Sequence, residues 1–133
     1  MIKRSIFIFL ILFIISPLMV NTSVSSLARI GNNYYESLID AIKNASSTDT
    51  ITLINDVSLD ETLEINKTVN INLNGNDITT KEKVFIVKGG VLNLDGEGTI
   101  KETEPNYGAI MEVGNVLTAI KKFIQVKMIT MVL

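Results

Sequence analysis

Carboxylates and amides are the side chains through which this chain could do chemistry. Asp77, Asp95, Glu97 and Glu102 are the candidates for acid–base work. Hydrolysis of a polysaccharide takes two carboxyl groups at a fixed separation, one as acid and the other as base or nucleophile. Asp95 and Glu97 flank Gly96 in a turn-like sequence, where carboxylates are ordinarily solvated and structural. Asn70-x-Asn72-x-Asn74-Gly75 has the outline of a calcium-loop start. Its first position is not Asp, and its twelfth is Lys81 where a bidentate Glu belongs. Tyr34, Tyr35 and Tyr107 are the tyrosines that could stack on a sugar. The expectation is therefore no catalytic, cofactor-binding or metal-ligating residue and no cofactor.

Composition narrows the chemistry further. The 133 residues contain no His, no Cys and no Trp. The commonest general base near neutral pH is thus missing, and so are disulfides and thiolate sites. Residues 29–116 carry seven Lys+Arg against fourteen Asp+Glu, a net charge of −7, whereas residues 117–133 carry three Lys and no acid. An acidic body is a poor partner for nucleic acid, whose binding rests on cations that neutralise phosphates. The expected partner class is a carbohydrate or cell-surface polymer.

The elements that must position these groups are short strands. In 69–78 (VNINLNGNDI), Val69, Ile71 and Leu73 alternate with Asn70, Asn72 and Asn74. Such alternation buries one face and leaves the other in water. The same message returns at 91–100 (VLNLDGEGTI) and, more loosely, at 50–59 (TITLINDVSL). Ile51, Ile71 and Leu92 fall into one register, Leu53, Leu73 and Leu94 into another, and Asn55, Gly75 and Gly96 repeat as turn residues. Ile78 and Ile100 are a further pair, separated by one additional residue in the Gly-rich turn. A repeat of 20–22 residues without helical periodicity describes a β-solenoid, in which each coil buries its apolar face only against the next. A β-sandwich is the competing all-β arrangement and would pair sequence neighbours as hairpins. The alternating Asn residues then form a hydrogen-bonded ladder on the outward face.

Before the strands, residues 32–45 read as an amphipathic helix. Tyr35, Leu38, Ile39, Ile42 and Ala45 lie on one face, and Asn33 is its cap, with Glu36 three residues on. A helix this short needs something to dock on, and the open end of a sheet is the plain choice.

The segments YYESLIDAI, DTITLINDVSL, LEINKTVNINLNGNDI and GGVLNLDGEGTI resemble the start of right-handed parallel β-helix domains of the pectin lyase-like superfamily. The resemblance spans about residues 29–116 and is nearest to domains opening large secreted or surface proteins of bacteria. It implies an all-β, single-stranded right-handed parallel β-helix of about three coils with an N-terminal capping helix. It is weak for activity, because the superfamily includes lyases, hydrolases, adhesins and phage tailspikes. Its galacturonan hydrolases use Gly-His-Gly and Arg-x-Lys motifs. This chain has no His, and its one Arg beyond the N-terminal segment is Arg29.

Four segments follow. Residues 1–28 read as a signal peptide, or as a short membrane anchor. Lys3 and Arg4 precede the apolar run 6–15, and Ser26-Leu27-Ala28 offers a small-x-small cleavage site. The apolar stretch 6–20 makes roughly 22 Å of helix, short of the roughly 30 Å hydrocarbon core. Residues 29–48 hold the capping helix and 49–116 the coils. Residues 117–133 form an atypical apolar and basic tail, either a C-terminal cap or the product of a slipped reading frame. The functional expectation is a non-catalytic, secreted or surface-exposed, adhesin-like module, truncated, and able to self-associate through an open end. The alternative is the front of a polysaccharide lyase or hydrolase that lacks its catalytic coils.

Overall fold

The computed structural model describes residues 24–104, 108–113, 117–120, 124–126 and 128–131, with side chains described as far as Val113. Residues 1–23, most of the expected leader, lie outside the described residues, as does Tyr107.

Among the described residues the chain is all-β with one short helix. Strands β1 (Ala28–Ile30) and β2 (Asn33–Tyr35) come first, then helix α1 (Leu38–Asn44). Twelve further strands follow: β3 (Thr50–Leu53), β4 (Val57–Leu59), β5 (Leu63–Ile65), β6 (Thr68–Asn72), β7 (Ile78–Thr80), β8 (Phe85–Lys88), β9 (Val91–Asp95), β10 (Gly98–Glu102), β11 (Ile110–Val113), β12 (Leu117–Ile120), β13 (Ile124–Val126) and β14 (Met128–Met131). They form three separate sheets, ordered β12-β9-β6-β3-β1-β2, β13-β10-β7-β4 and β14-β11-β8-β5. From β3 onward each strand pairs in parallel with the strand three places along the chain.

The stack is not parallel throughout. The first sheet is mixed, because β1 pairs antiparallel with both β2 and β3. Here the expected helix at 32–45 is corrected. Gly31, at φ +56, starts a two-residue turn that folds Asn33–Tyr35 back onto Ala28–Ile30. Tyr34 and Tyr35 are strand residues, which suits aromatic side chains. The helix begins only after Ser37, whose Oγ accepts from the Asp40 backbone N–H at 3.1 Å. Ser37 is thus the cap in place of Asn33. Asp40 in the first turn and Lys43 in the last suit the helix dipole.

Alternation sorts the side chains as expected. Ile51 and Leu53, Val57 and Leu59, Leu63 and Ile65 point inward in the first tier. Val69, Ile71, Leu73, Ile78, Phe85 and Val87 follow in the second, and Leu92, Leu94, Ile100 and Ile110 in the third. Together with Leu38, Ala41 and Ile42 of α1 they make one continuous core. Phe85 is its largest fully buried side chain.

The register needs a second correction. Ile51 pairs with Ile71 as the spacing suggests, but Ile71 pairs with Leu94, and Leu92 pairs with Val69. The cause is loop length. Between paired positions, each of the three corners of the second tier is one residue longer than its counterpart in the first. The first sheet therefore steps by 20 residues and then by 23. From Asp95 to Ile100 the third tier has one residue fewer than the second has from Asn72 to Ile78, which returns the next sheet to a step of 22.

Candidate functional site

The outward face of the first sheet carries the amide-rich strip. Strand alternation that buries Val69, Ile71, Leu92 and Leu94 turns Asn70, Asn72, Asn93 and Asp95 outward. Asn70 and Asn93 are paired across β6 and β9, and Asn93 Nδ2 donates to Asn70 Oδ1 at 2.8 Å. Asn70 Nδ2 in turn donates to the carbonyls of Ser47 and Asp49, at 3.0 and 2.8 Å. Both side chains are half-buried. With Thr50, Ile71, Leu94 and Asp95 they line a shallow cavity of about 320 Å³.

At the end of the same strands the chain turns. Asn74 adopts φ +51, and its backbone N–H donates to Asn72 Oδ1 at 2.8 Å. Asn74 Nδ2 donates to the Leu53 carbonyl one tier below. Asn76 Nδ2 reaches the carbonyls of Leu53, Leu73 and Asn74. The expected ladder is therefore one amide rung, Asn70–Asn93, with the other Asn side chains closing backbone groups at the corner. Asn72, Asn74, Gly75, Gly96 and Glu97 line a second cavity of about 350 Å³.

The four candidate carboxylates have different surroundings. Asp77 is half-buried, and its Oδ1 accepts the Thr99 backbone N–H at 2.8 Å. One tier below, Asp56 Oδ1 accepts the Asp77 N–H at the same distance. This corner is a carboxylate-to-amide ladder, a structural use of charge that spacing did not reveal. Asp95 Oδ1 accepts the N–H of Gly96, and Glu102 Oε1 that of Gly108 at 3.3 Å. Glu97 is exposed, and its backbone carbonyl accepts from Gly75. Asp77, Asp95 and Glu102 thus spend acceptor oxygens on backbone N–H groups. Among the described residues, no cluster of three or more acidic side chains could hold a metal ion. Lys81, the twelfth position counted from Asn70, is exposed.

Tyr34 is exposed on β2 and Tyr35 packs half-buried against the core, so they make no joint platform. Arg29 Nη1 donates to the Gly31 carbonyl and braces the hairpin turn. Asp49 sits beside the C-terminal end of the helix, where Ser46 faces its carboxylate. Hydrogen bonds from the backbone and side chain of Ser46 hold its carboxyl below the usual range.

No protein-family model, no curated protein and no solved structure matches this chain.

Proposed function

We propose that this chain is a non-catalytic extracellular β-solenoid module, the N-terminal part of an adhesin-like surface protein. In this reading the three sheets are the walls of a right-handed parallel β-helix of the pectin lyase-like kind. One observation carries it: in all three sheets the parallel neighbours are strands three apart in the chain. A chain that winds through three walls and returns to the first produces that order. The hairpin β1–β2 and helix α1 stand at the N-terminal end of the stack, where an end-capping device is needed. The polar outer face and the leader-like N-terminal segment support an extracellular setting. Backbone-engaged carboxylates and the lack of His support a scaffold rather than an enzyme.

Strands β12, β13 and β14 enter this reading as a further coil. They pair in parallel with β9, β10 and β11. The alternation of the earlier coils weakens here. Glu112 holds the register position of Val87 and Ile65, and Thr130 pairs with Glu112. Thr118 pairs with the buried Leu92. A slipped reading frame near residue 116 accounts for the pattern lost beyond it, at Thr118 and Thr130, whereas Glu112 precedes the slip; translating the coding DNA in the other two frames tests it. Further Gly-rich coils in one of them are expected.

The functional reading is tested by incubating the full chain with acidic polysaccharides, with and without Ca²⁺. Unsaturated products and new reducing ends are followed. No turnover is expected, together with retention of labelled chain on cell-surface polymer. Turnover abolished by heat denaturation would replace this reading with that of a polysaccharide lyase or hydrolase.

A further inference from the structure

The small-x-small motif Ser26-Leu27-Ala28 places leader cleavage after Ala28. The fold makes residues 26–28 part of the domain. Ala28 is fully buried and pairs with both Tyr35 and Leu53. The Leu27 N–H donates to the Tyr35 carbonyl at 2.8 Å, and the Leu27 carbonyl accepts from the Ile54 N–H at 2.9 Å. The Leu27 side chain packs against the core. The Ser26 carbonyl accepts from Asn55 Nδ2 at 2.8 Å. Cutting after Ala28 would leave two residues of β1 and remove its buried anchor.

Among the described residues upstream, Val24 and Ser25, the attachments weaken. Ser25 contributes one longer bond, Asn55 Nδ2 to Ser25 Oγ at 3.2 Å, and Val24 is 59% exposed. Ser23-Val24-Ser25 is another small-x-small triplet. Cleavage after Ser25 keeps the Ser26 carbonyl and everything beyond it. Cleavage after Ser26 would turn that carbonyl into part of the departing segment and break its bond to Asn55.

We propose that the leader is removed after Ser25, so that the mature chain begins at Ser26. The reaction is hydrolysis by a leader peptidase that reads small residues. Water adds its hydroxyl to the Ser25 carbonyl carbon, the Ser25–Ser26 bond breaks, and the Ser26 nitrogen takes the proton. This rests on the extracellular reading.

Two substitutions in the full chain, expressed in an exporting bacterial host, separate the sites. Ser25 is the residue before the cut at one site, and Ser26 is the third residue before the cut at the other. Ser25→Leu is expected to leave most of the chain as precursor. Ser26→Leu is expected to be processed like the parent, and mass spectrometry of the exported parent is expected to show Ser26 as its first residue. An Arg29 start, or precursor accumulation with Ser26→Leu alone, overturns the site. An intact Met1 start in the exported fraction overturns cleavage and leaves export standing. Retention of the whole chain in the cytosol overturns the extracellular reading and the processing with it.

Discussion

Asn93 Nδ2 lies 2.8 Å from Asn70 Oδ1, so two amides 23 residues apart in the chain share a hydrogen bond across neighbouring strands. Asn70 is the hub, because its own Nδ2 holds the carbonyls of Ser47 and Asp49. Asn70→Ala leaves three partners without their bond and should cost about 1–3 kcal/mol. Asn93→Ala removes one bond and should cost about 0.5–1.5 kcal/mol. Asn70→Asp should be at least as damaging as Asn70→Ala, since it sets a carboxylate against two carbonyls. Urea denaturation of the three variants checks the order. Equal losses for Asn70→Ala and Asn93→Ala would remove Asn70 from the centre of the rung.

Gly90 lets β9 approach the tier below. A Cβ on it would stand 2.6 Å from the Lys67 carbonyl oxygen and 2.8 Å from that of Ile65. Neither atom can swing away, because both belong to backbone held in the stack. Gly90→Ala should therefore destabilise by about 1–3 kcal/mol, the range for inserting an atom into a packed site. It should also weaken amide protection in β6 and β9, measured by hydrogen exchange. Unchanged protection there would contradict the close approach.

Lys67 ties the helix to the stack. Its Nζ donates to the carbonyls of Lys43 and Ala45, at 3.2 and 2.9 Å, where the helix has unsatisfied acceptors and its negative dipole end. Lys67→Met keeps the aliphatic stem and loses the charge. A loss of about 0.3–1 kcal/mol is expected. The difference from the parent should shrink as salt is raised, because the contact is partly exposed. A salt-independent difference in denaturation midpoint would point to packing of the stem instead.

Asp49 gives the fold an acid-sensitive joint. Its carboxyl titrates below the ordinary value because Ser46 hydrogen-bonds the charged form. A group depressed in the folded state stabilises the fold above its unfolded pKa. That contribution is lost as pH falls through the folded value. The parent chain should lose more of its melting temperature than Asp49→Asn between about pH 5 and pH 2. Parallel curves for the two chains would show that the Ser46 contact contributes nothing to the acid response.

Much of the fold was legible in the sequence. The alternation at 69–73 and 91–94 named the buried side chains correctly, because a strand with one face in a core must alternate. The helix was legible only in its second half, Leu38–Asn44. Helical spacing of Tyr35 with Leu38 and Ile39 hid the hairpin, since Tyr35 reaches the core equally well from a strand. The site was less legible. The Asn70–Asn93 rung followed from spacing in kind, but the backbone bonds of Asp56, Asp77, Asn74 and Asn76 depend on which tier passes beneath each corner.

Sequence by itself determined which residues face inward, since side chains repeat every two residues along a strand. It could not determine which inward residue meets which. Ile71 could pair with Leu92 or with Leu94, because a slip of two residues leaves every side chain on its own face. Only the tertiary structure decided this, through one added residue at each of three corners. That choice places Asn93 against Asn70 and Asp95 against Asn72, and so fixes the outward strip.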